Sequence, residues 1–382
     1  MRIAVINSIR VCGGGEKWLV RQAGCWRDRG HEPLIVCQPG SGLERLAADA
    51  GLVVAPVRMP HDISLPAVMK LAATLRASVP EVVMFCNARA FRLGLPASRL
   101  AGKPPALYRN GLTATFKNRT INRTLFGWAE RMVVISEPLR EEMASYRWIP
   151  PERLQIIRNG IDTAAYAPDP SSRERVRAEV GTPRLAVVAA VLARVTEDKG
   201  QVETIQALAQ LVPRHPSAEL WIVGEGTLQP RLEQLAAELG VADRVRFLGF
   251  RTDIPAVLQA VDIVVQASHR EGLGNTLLEA MAAARPVLAS AVGGIVDVVL
   301  PGETGELVPP RDPAAIARSL GGLFSDAEKR RVYGENGRRR VDREFRLERE
   351  TEEWCRLFAH LARARGCTSG DAAVGDARGP VK

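Results

Sequence analysis

At 382 residues, with 46% hydrophobic and 25% charged side chains, the chain has the composition of an ordinary soluble globular protein and the length of two domains. No apolar run approaches the roughly 18 to 20 residues of a membrane-spanning helix, and the opening "MRIAVINSIRVCGGGEKW" leads too quickly into glycines to read as a signal peptide. The net charge of +9 is uneven: residues 1–165 hold 23 Lys+Arg against 13 Asp+Glu, and the remainder holds 29 against 30. An excess confined to the first half implies an anionic partner there, whether a phosphorylated acceptor, a membrane surface or nucleic acid. The six cysteines are scattered, without a C-x-x-C pair or a nearby histidine, and read as reduced thiols of a cytoplasmic protein.

In chain order, "RIAVIN" predicts a strand and "EKWLVRQAGCWRDRG" a helix. "PLIVC", "LVVAPV", "EVVMFC", "ALYRN" and "RMVVIS" then alternate with helical runs such as "LPAVMKLAATLRA". Strands spaced by helices of this length predict βαβ units and a parallel sheet. A connector rich in proline, serine and charge, "GIDTAAYAPDPSSRERVRAEVGTPR", interrupts the pattern. It restarts with "LAVVAAVLAR", "AELWIVGEG", "RVRFLGF", "VDIVVQAS" and "PVLAS". Two doubly wound Rossmann-like α/β domains follow, 1–165 and 166–345, with the boundary within 160–182. Strand carboxyl ends are where ligands of such domains bind. The charged segment 326–364 predicts helices, and 346–365, with Trp354 and Phe358 four apart, is placed to return to the first domain. Residues 366–382 have too little apolar content to pack and predict a disordered tail.

Three stretches carry chemistry. In "CGGGEKW" a glycine turn opens a helix, so backbone N–H groups can meet an anion at the positive end of its dipole; a plain tight turn fits as well. G-x-G-x-x-G is absent, and no acidic residue closes the second strand, which disfavours a dinucleotide-binding dehydrogenase. In "ARVTEDKG", Arg194 and Lys199 stand in the loop after a strand and suit a diphosphate; pairing with Glu197 and Asp198 is the plainer alternative. In "HREGLGNTLLEAMAAARPVLAS", Glu271 precedes a glycine turn and Glu279 falls in the first turns of the next helix. A carboxylate at each position can accept sugar hydroxyls, with the amides of Gly272 to Asn275 between them. Taken separately, Glu279 is better explained as a complement to the helix dipole and Glu271 as a loop cap.

Together "EGLGNTLLEAMAAARPVLAS", "VGGIVDVV" and "GETGELVPP" resemble the nucleotide-sugar site of family-4 retaining glycosyltransferases of the GT-B fold, whose Glu-x7-Glu pair is matched by Glu271 and Glu279. The resemblance runs to about residue 345 and includes the glycine loop, "VVIS", "IRNGID", the Arg194/Lys199 pair, "GEG" and "FLGF". It implies two Rossmann-like domains facing across a deep cleft. It also implies a nucleotide-diphosphate sugar as donor substrate, and neither metal nor cofactor, since cations and a helix N-terminus stabilise the leaving group. By the resemblance Glu279 takes the ribose, Arg194 and Lys199 the diphosphate, Glu271 the sugar and the backbone at Phe250 the base. Gly14 and Gly15 complete the phosphate site from the opposite domain. Gly224, Gly272, Leu273, Gly274, Asn275 and Thr276 line the donor site. Two departures stand out. "ALYRNG" offers Arg109 and Asn110 where many relatives place a histidine, so Asn110 joins Glu271, Arg194 and Lys199 as a catalytic candidate. Asp297 stands where a glutamate is usual.

"TATFKNRTINRTLFGWAER" sets Lys117, Arg119 and Arg123 among aromatics. With Arg109 these mark the acceptor side, reading either as a face for an anionic membrane or phosphorylated acceptor, or as an ordinary core helix with a basic outer surface. Nucleic acid is disfavoured, because no recognised binding module is present. The expected activity is transfer to a hydroxyl of a glycan or lipid-linked, anionic acceptor in cell-envelope polysaccharide or lipopolysaccharide synthesis, at the inner face of the membrane. A soluble small acceptor, or a nucleotide-sugar-binding subunit without turnover, are the alternatives.

Overall fold

A computed structural model describes residues 1–112 and 120–364. Lys117, Arg119 and the tail 366–382 lie outside the described residues. The first sheet has the strand order β3-β2-β1-β4-β5-β6-β7. Its strands are β1 (Arg2–Ile6), β2 (Glu32–Cys37), β3 (Val53–Pro56), β4 (Val82–Phe85), β5 (Ala106–Asn110), β6 (Arg131–Val134) and β7 (Leu154–Ile156). They alternate with α1 (Gly14–Arg27), α2 (Gly42–Asp49), α3 (Leu65–Ser78), α4 (Ala88–Leu100), α5 (Thr120–Trp128) and α6 (Glu137–Ala144). The second sheet, of order β10-β9-β8-β11-β12-β13, comprises β8 (Val187–Leu192), β9 (Ala218–Val223), β10 (Val245–Gly249), β11 (Ile263–Gln266), β12 (Val287–Ser290) and β13 (Gly305–Val308). Its helices are α7 (Pro170–Val180), α8 (Gln201–Leu211), α9 (Gln229–Glu238), α10 (Ile254–Ala260), α11 (Asn275–Ala282), α12 (Ile295–Val298), α13 (Pro313–Ser325) and α14 (Ala327–Glu344), followed by α15 (Leu347–Arg363). Strands β1 to β5 and β8 to β13 pair in parallel.

The central strands are buried along their length, as expected where helices cover both faces of a parallel sheet. Apolar β-branched runs satisfy that demand; the exceptions, a Gln in β11 and a Glu in β9, need specific partners.

By packing, the chain passes from one unit to the other four times rather than once. One unit holds described residues 1–109, 120–132 and 351–364, and the other holds 110–112 and 133–350. The change of sheet falls between β7 and β8, within which the connector lies. From Thr351 onward helix α15 belongs to the first unit, to which its aromatic face packs. Trp354 meets Trp18 and Trp26 of α1 with ring centroids 5.9 Å apart, and Phe358 meets Trp26 edge-on at 5.0 Å. Gln22 donates to the Thr351 hydroxyl at 2.9 Å beside them. Within the second unit, Asp262 joins α7 to the sheet, accepting from Arg173 and Arg177 at 2.7 Å each and from the Val188 N–H at 2.8 Å.

Candidate active site

The Glu-x7-Glu stretch folds as the sequence predicts. Buried β11 leads to a loop carrying Glu271, and α11 starts at Asn275 with Gly274 before it in the left-handed region, at φ 92°. Among the described residues no side chain caps α11, which leaves its N-terminus to other acceptors. Glu279 sits half-buried in its second turn.

Glycines bring the loops together. A Cβ at Gly200 would run into the Ala267 carbonyl, so only glycine lets the 196–200 loop lie against the end of β11. That close approach sets Lys199 beside Glu271, with Nζ donating to Oε2 at 3.0 Å, and the Asp198 carbonyl receives the His269 N–H at 2.9 Å. On the other side Gly293, at φ 50°, packs against the Glu271 carbonyl, where a side chain would not fit. The carboxylate of Glu271 is 17% exposed, and its Oε2 also accepts from Gln266 at 3.0 Å and Ser268 at 3.3 Å.

Arg194 is held by its backbone. The flanking Ala193 and Val195 N–H groups bond to Val223 and Glu225, and Gln201 donates to the Arg194 carbonyl at 2.9 Å. Its guanidinium is exposed. Arg194 therefore presents a charge to solvent beside a Lys199 that is engaged with Glu271 and, at 3.6 Å, with Asp198. An ammonium has three N–H donors, so Lys199 can hold Glu271 and still meet a phosphate oxygen. Gly224, at φ 140°, stands where a side chain would strike the Ala193 carbonyl. Phe250 is exposed, and its N–H donates to Glu225 at 3.3 Å. Leu273 is buried, Thr276 donates to the Leu192 carbonyl at 3.3 Å, and Asn275 accepts from Asn159 at 2.9 Å. His269 pairs with Glu203 at 2.8 Å, a structural contact.

In the first unit, Gly14 and Gly15 form the first turn of α1 with open space where side chains would stand. Glu16 shapes the turn before them: buried, it accepts from the Gly13 N–H and from Asn7, both at 3.0 Å. Arg109 is 5% exposed with its guanidinium 3.4 Å from the centre of the Trp18 ring, which makes it an interior cation rather than a surface one. Asn110, which itself belongs to the second unit, is buried and donates to the Met143 sulfur at 3.6 Å. On α5, Leu125 and Phe126 are core, whereas Arg123 and Trp128 are exposed. Burial pushes the Cys86 thiol up to about 12.

Residues 12–165 match the family described as "Glycosyltransferase Family 4", and 172–340 the family described as "Glycosyl transferases group 1". A "GDP-mannose-dependent alpha-(1-6)-phosphatidylinositol monomannoside mannosyltransferase" of Mycolicibacterium smegmatis is 31% identical over 330 residues, 81% of this chain and 85% of that one. The chain is a family 4 glycosyltransferase.

This glycosyltransferase is also 29% identical over 359 residues to the lipopolysaccharide core biosynthesis glycosyltransferase LpsE of Rhizobium meliloti, covering 91% of the chain and 96% of LpsE. It matches a D-inositol 3-phosphate glycosyltransferase of Corynebacterium kroppenstedtii at 32% identity over 60% of the chain, spanning only 55% of that relative's length. The structure of Anabaena HepE in complex with UDP-glucose superposes with a TM-score of 0.83 at 25% identity, covering 94% of this glycosyltransferase and 100% of HepE. Its two parallel sheets are thus those of a GT-B enzyme.

Some residues of the glycosyltransferase escape sequence reading. Gln266 ends an apolar strand and Ser268 begins a loop, so neither signals a link to Glu271. Asp297, a departure by the family pattern, accepts the Glu137 N–H at the start of α6 at 2.7 Å and Arg158 at 3.2 Å. A carboxylate that caps a helix it is not part of leaves no local trace in sequence.

Proposed function

We propose that this glycosyltransferase moves a sugar, with retention of configuration, from a nucleotide diphosphate to a hydroxyl of a lipid-linked or glycan acceptor in envelope glycan synthesis. The observation that carries the donor side is the Lys199–Glu271 contact before the start of α11, with the exposed Arg194 in the same loop as Lys199, after β8. Charge develops on the diphosphate as the sugar departs, and prearranged cations and amide donors stabilise it without reorganisation. That set supplies what a metal ion supplies elsewhere, so turnover proceeds without one. UDP-glucose bound to HepE, and the GDP-mannose dependence of the M. smegmatis enzyme, support this donor class.

The acceptor side rests on the names of LpsE and the M. smegmatis relative and on one surface. Helices α3 and α4 contain no acidic residue, and Ile63, Leu65 and Met69 are exposed at the start of α3, beside Lys70. Asp62, the acid next to them, is paired with Arg89 at 3.1 Å and with Arg92. Exposed apolar side chains among cations favour an anionic bilayer at the cytoplasmic face. Among the described residues no helix is long and apolar enough to cross a membrane. A phosphorylated soluble acceptor is the second reading, favoured by the D-inositol 3-phosphate relative.

The test is transfer by purified protein from UDP-, GDP- and ADP-sugars to extracted lipid acceptors or to inositol phosphate, with the product's anomeric configuration read by NMR. One donor is expected to support transfer with retention, unaffected by EDTA and faster when the acceptor sits in anionic vesicles. Inversion, or complete loss in EDTA, contradicts the proposal.

A further inference from the structure

Gln266 is out of place in its strand. The other residues of β11 are Ile263, Val264 and Val265, all buried, and the Gln266 amide is itself only 8% exposed. Burying an amide is unfavourable unless both its ends are hydrogen-bonded. Here only one end is. Nε2 donates to Glu271 Oε2 at 3.0 Å, while the buried Oε1 has no hydrogen-bond partner. An apolar side chain of similar volume would suit the strand better. What the amide does achieve is contact with the acid of the donor site.

The geometry around that acid is one-sided. Lys199, Gln266 and Ser268 all donate to the same oxygen, Oε2, at 3.0, 3.0 and 3.3 Å. Among the described residues no hydrogen bond reaches Oε1. Ser268 is also buried, at 1% exposure. A Cβ at Gly274 would meet Leu277 Cδ1 at 3.1 Å and the Gln266 Nε2 at 3.5 Å, and its left-handed backbone excludes most residues.

We propose that Gln266 is a positioning residue. With Ser268 it pins one oxygen of Glu271 from the protein interior, so that the other oxygen is presented in a single orientation to the hydroxyls of the donor sugar. A glutamate side chain otherwise samples several rotamers, and fixing it before binding removes that entropy from the cost of holding the sugar. The proposal rests on the donor-site reading and deepens it, assigning to Gln266 the sugar and not the nucleotide.

Replacing Gln266 by Leu, or by the unbranched Met as a second variant, removes the donor while filling the strand. Three measurements are made on the full-length protein. They are the melting temperature alone, the shifts given by UDP against UDP-glucose and by GDP against GDP-mannose, and kcat with the sugar that turns over. The variants are expected to melt at or above the wild-type temperature, since an unsatisfied buried oxygen has gone, and to keep the full shift from the nucleoside diphosphate. The additional shift contributed by the sugar is lost, and kcat falls roughly ten- to a hundredfold, the range for removing a hydrogen bond to a charged group. Ser268→Ala is expected to behave the same way with a smaller loss. Wild-type kcat and sugar increment in both Gln266 variants overturn the inference while leaving the donor site standing. Loss of stability in both, with activity falling only in proportion to folded protein, also overturns it. A wild-type protein that no nucleoside diphosphate stabilises sinks the donor-site reading itself, and this inference with it.

Discussion

A half-buried carboxylate with a single cation on it is a coupled unit. Lys199 and Glu271 are 16% and 17% exposed, and each satisfies the other at 3.0 Å. Removing the cation leaves Oε2 with only two neutral donors, and a charge deprived of its partner is costlier than a pair deleted together. Lys199→Ala is therefore expected to lower unfolding free energy by about 1–3 kcal/mol. The double variant Lys199→Ala/Glu271→Gln is expected to recover part of that loss, as read by urea unfolding. Additive losses would show the two groups to be independent. At this scale the sequence is informative about identity and silent about partnership. The eight-residue separation of Glu271 and Glu279 is visible because it is local, set by a turn and a helix. Arg194 and Lys199 are visible because cations flanking a loop after a strand are uncommon. Gln266 is invisible because nothing in "VDIVVQAS" distinguishes a glutamine that reaches Glu271 from one at a strand's frayed end. Arg109 is misleading for a related reason: a cation reads as surface unless the aromatic that receives it is known, and Trp18 lies 91 positions away.

Loops without side chains hold the elements in register. Three glycines of the second unit, Gly200, Gly224 and Gly293, have positive φ and stand where a Cβ would run into a backbone carbonyl. Neither feature is relieved by a side chain moving aside. Gly200→Ala combines a strained backbone, costing on the order of 1–3 kcal/mol, with a clash that separates Lys199 from Glu271. It is expected to lower the melting temperature and to abolish nucleotide-sugar turnover. Gly240→Ala, also at positive φ but with open space around it, is expected to lose stability through the backbone strain alone and keep its activity. Equal activity in the two variants would show that the close approach at Gly200 is dispensable. The alternation of β-branched runs and helices made most elements legible, since a parallel sheet covered on both faces leaves its strands little choice of residue. The roles of the glycines were only half legible. "CGGGEKW" and "EGLG" announce turns, but that Gly200 and Gly293 clamp the Glu271 loop depends on which loops the topology makes neighbours.

Across the whole chain, the excess positive charge and the paired acids fall in different halves. The excess positive charge belongs to residues 1–165, whereas the paired glutamates and the Arg194/Lys199 loop belong to the second sheet's strand ends. Trp354 and Phe358 bring the end of the described chain onto α1, a return foreshadowed by two aromatics four apart in an otherwise charged helix. Where the chain passes from one packing unit to the other was not legible, because residues 133–158 read as part of the first alternating pattern yet include Glu137 and Arg158, both bound to Asp297. A donor cradle in the second unit, with Arg194 as its exposed cation, is central to this reading of the molecule. Isothermal titration of wild type and Arg194→Ala with UDP, GDP and ADP tests it most directly. Wild type is expected to bind one of the three, and the variant to bind it roughly ten- to a hundredfold more weakly, the loss of one charge-assisted contact. Equal affinity in the variant, or no binding of any of the three by wild type, would contradict it.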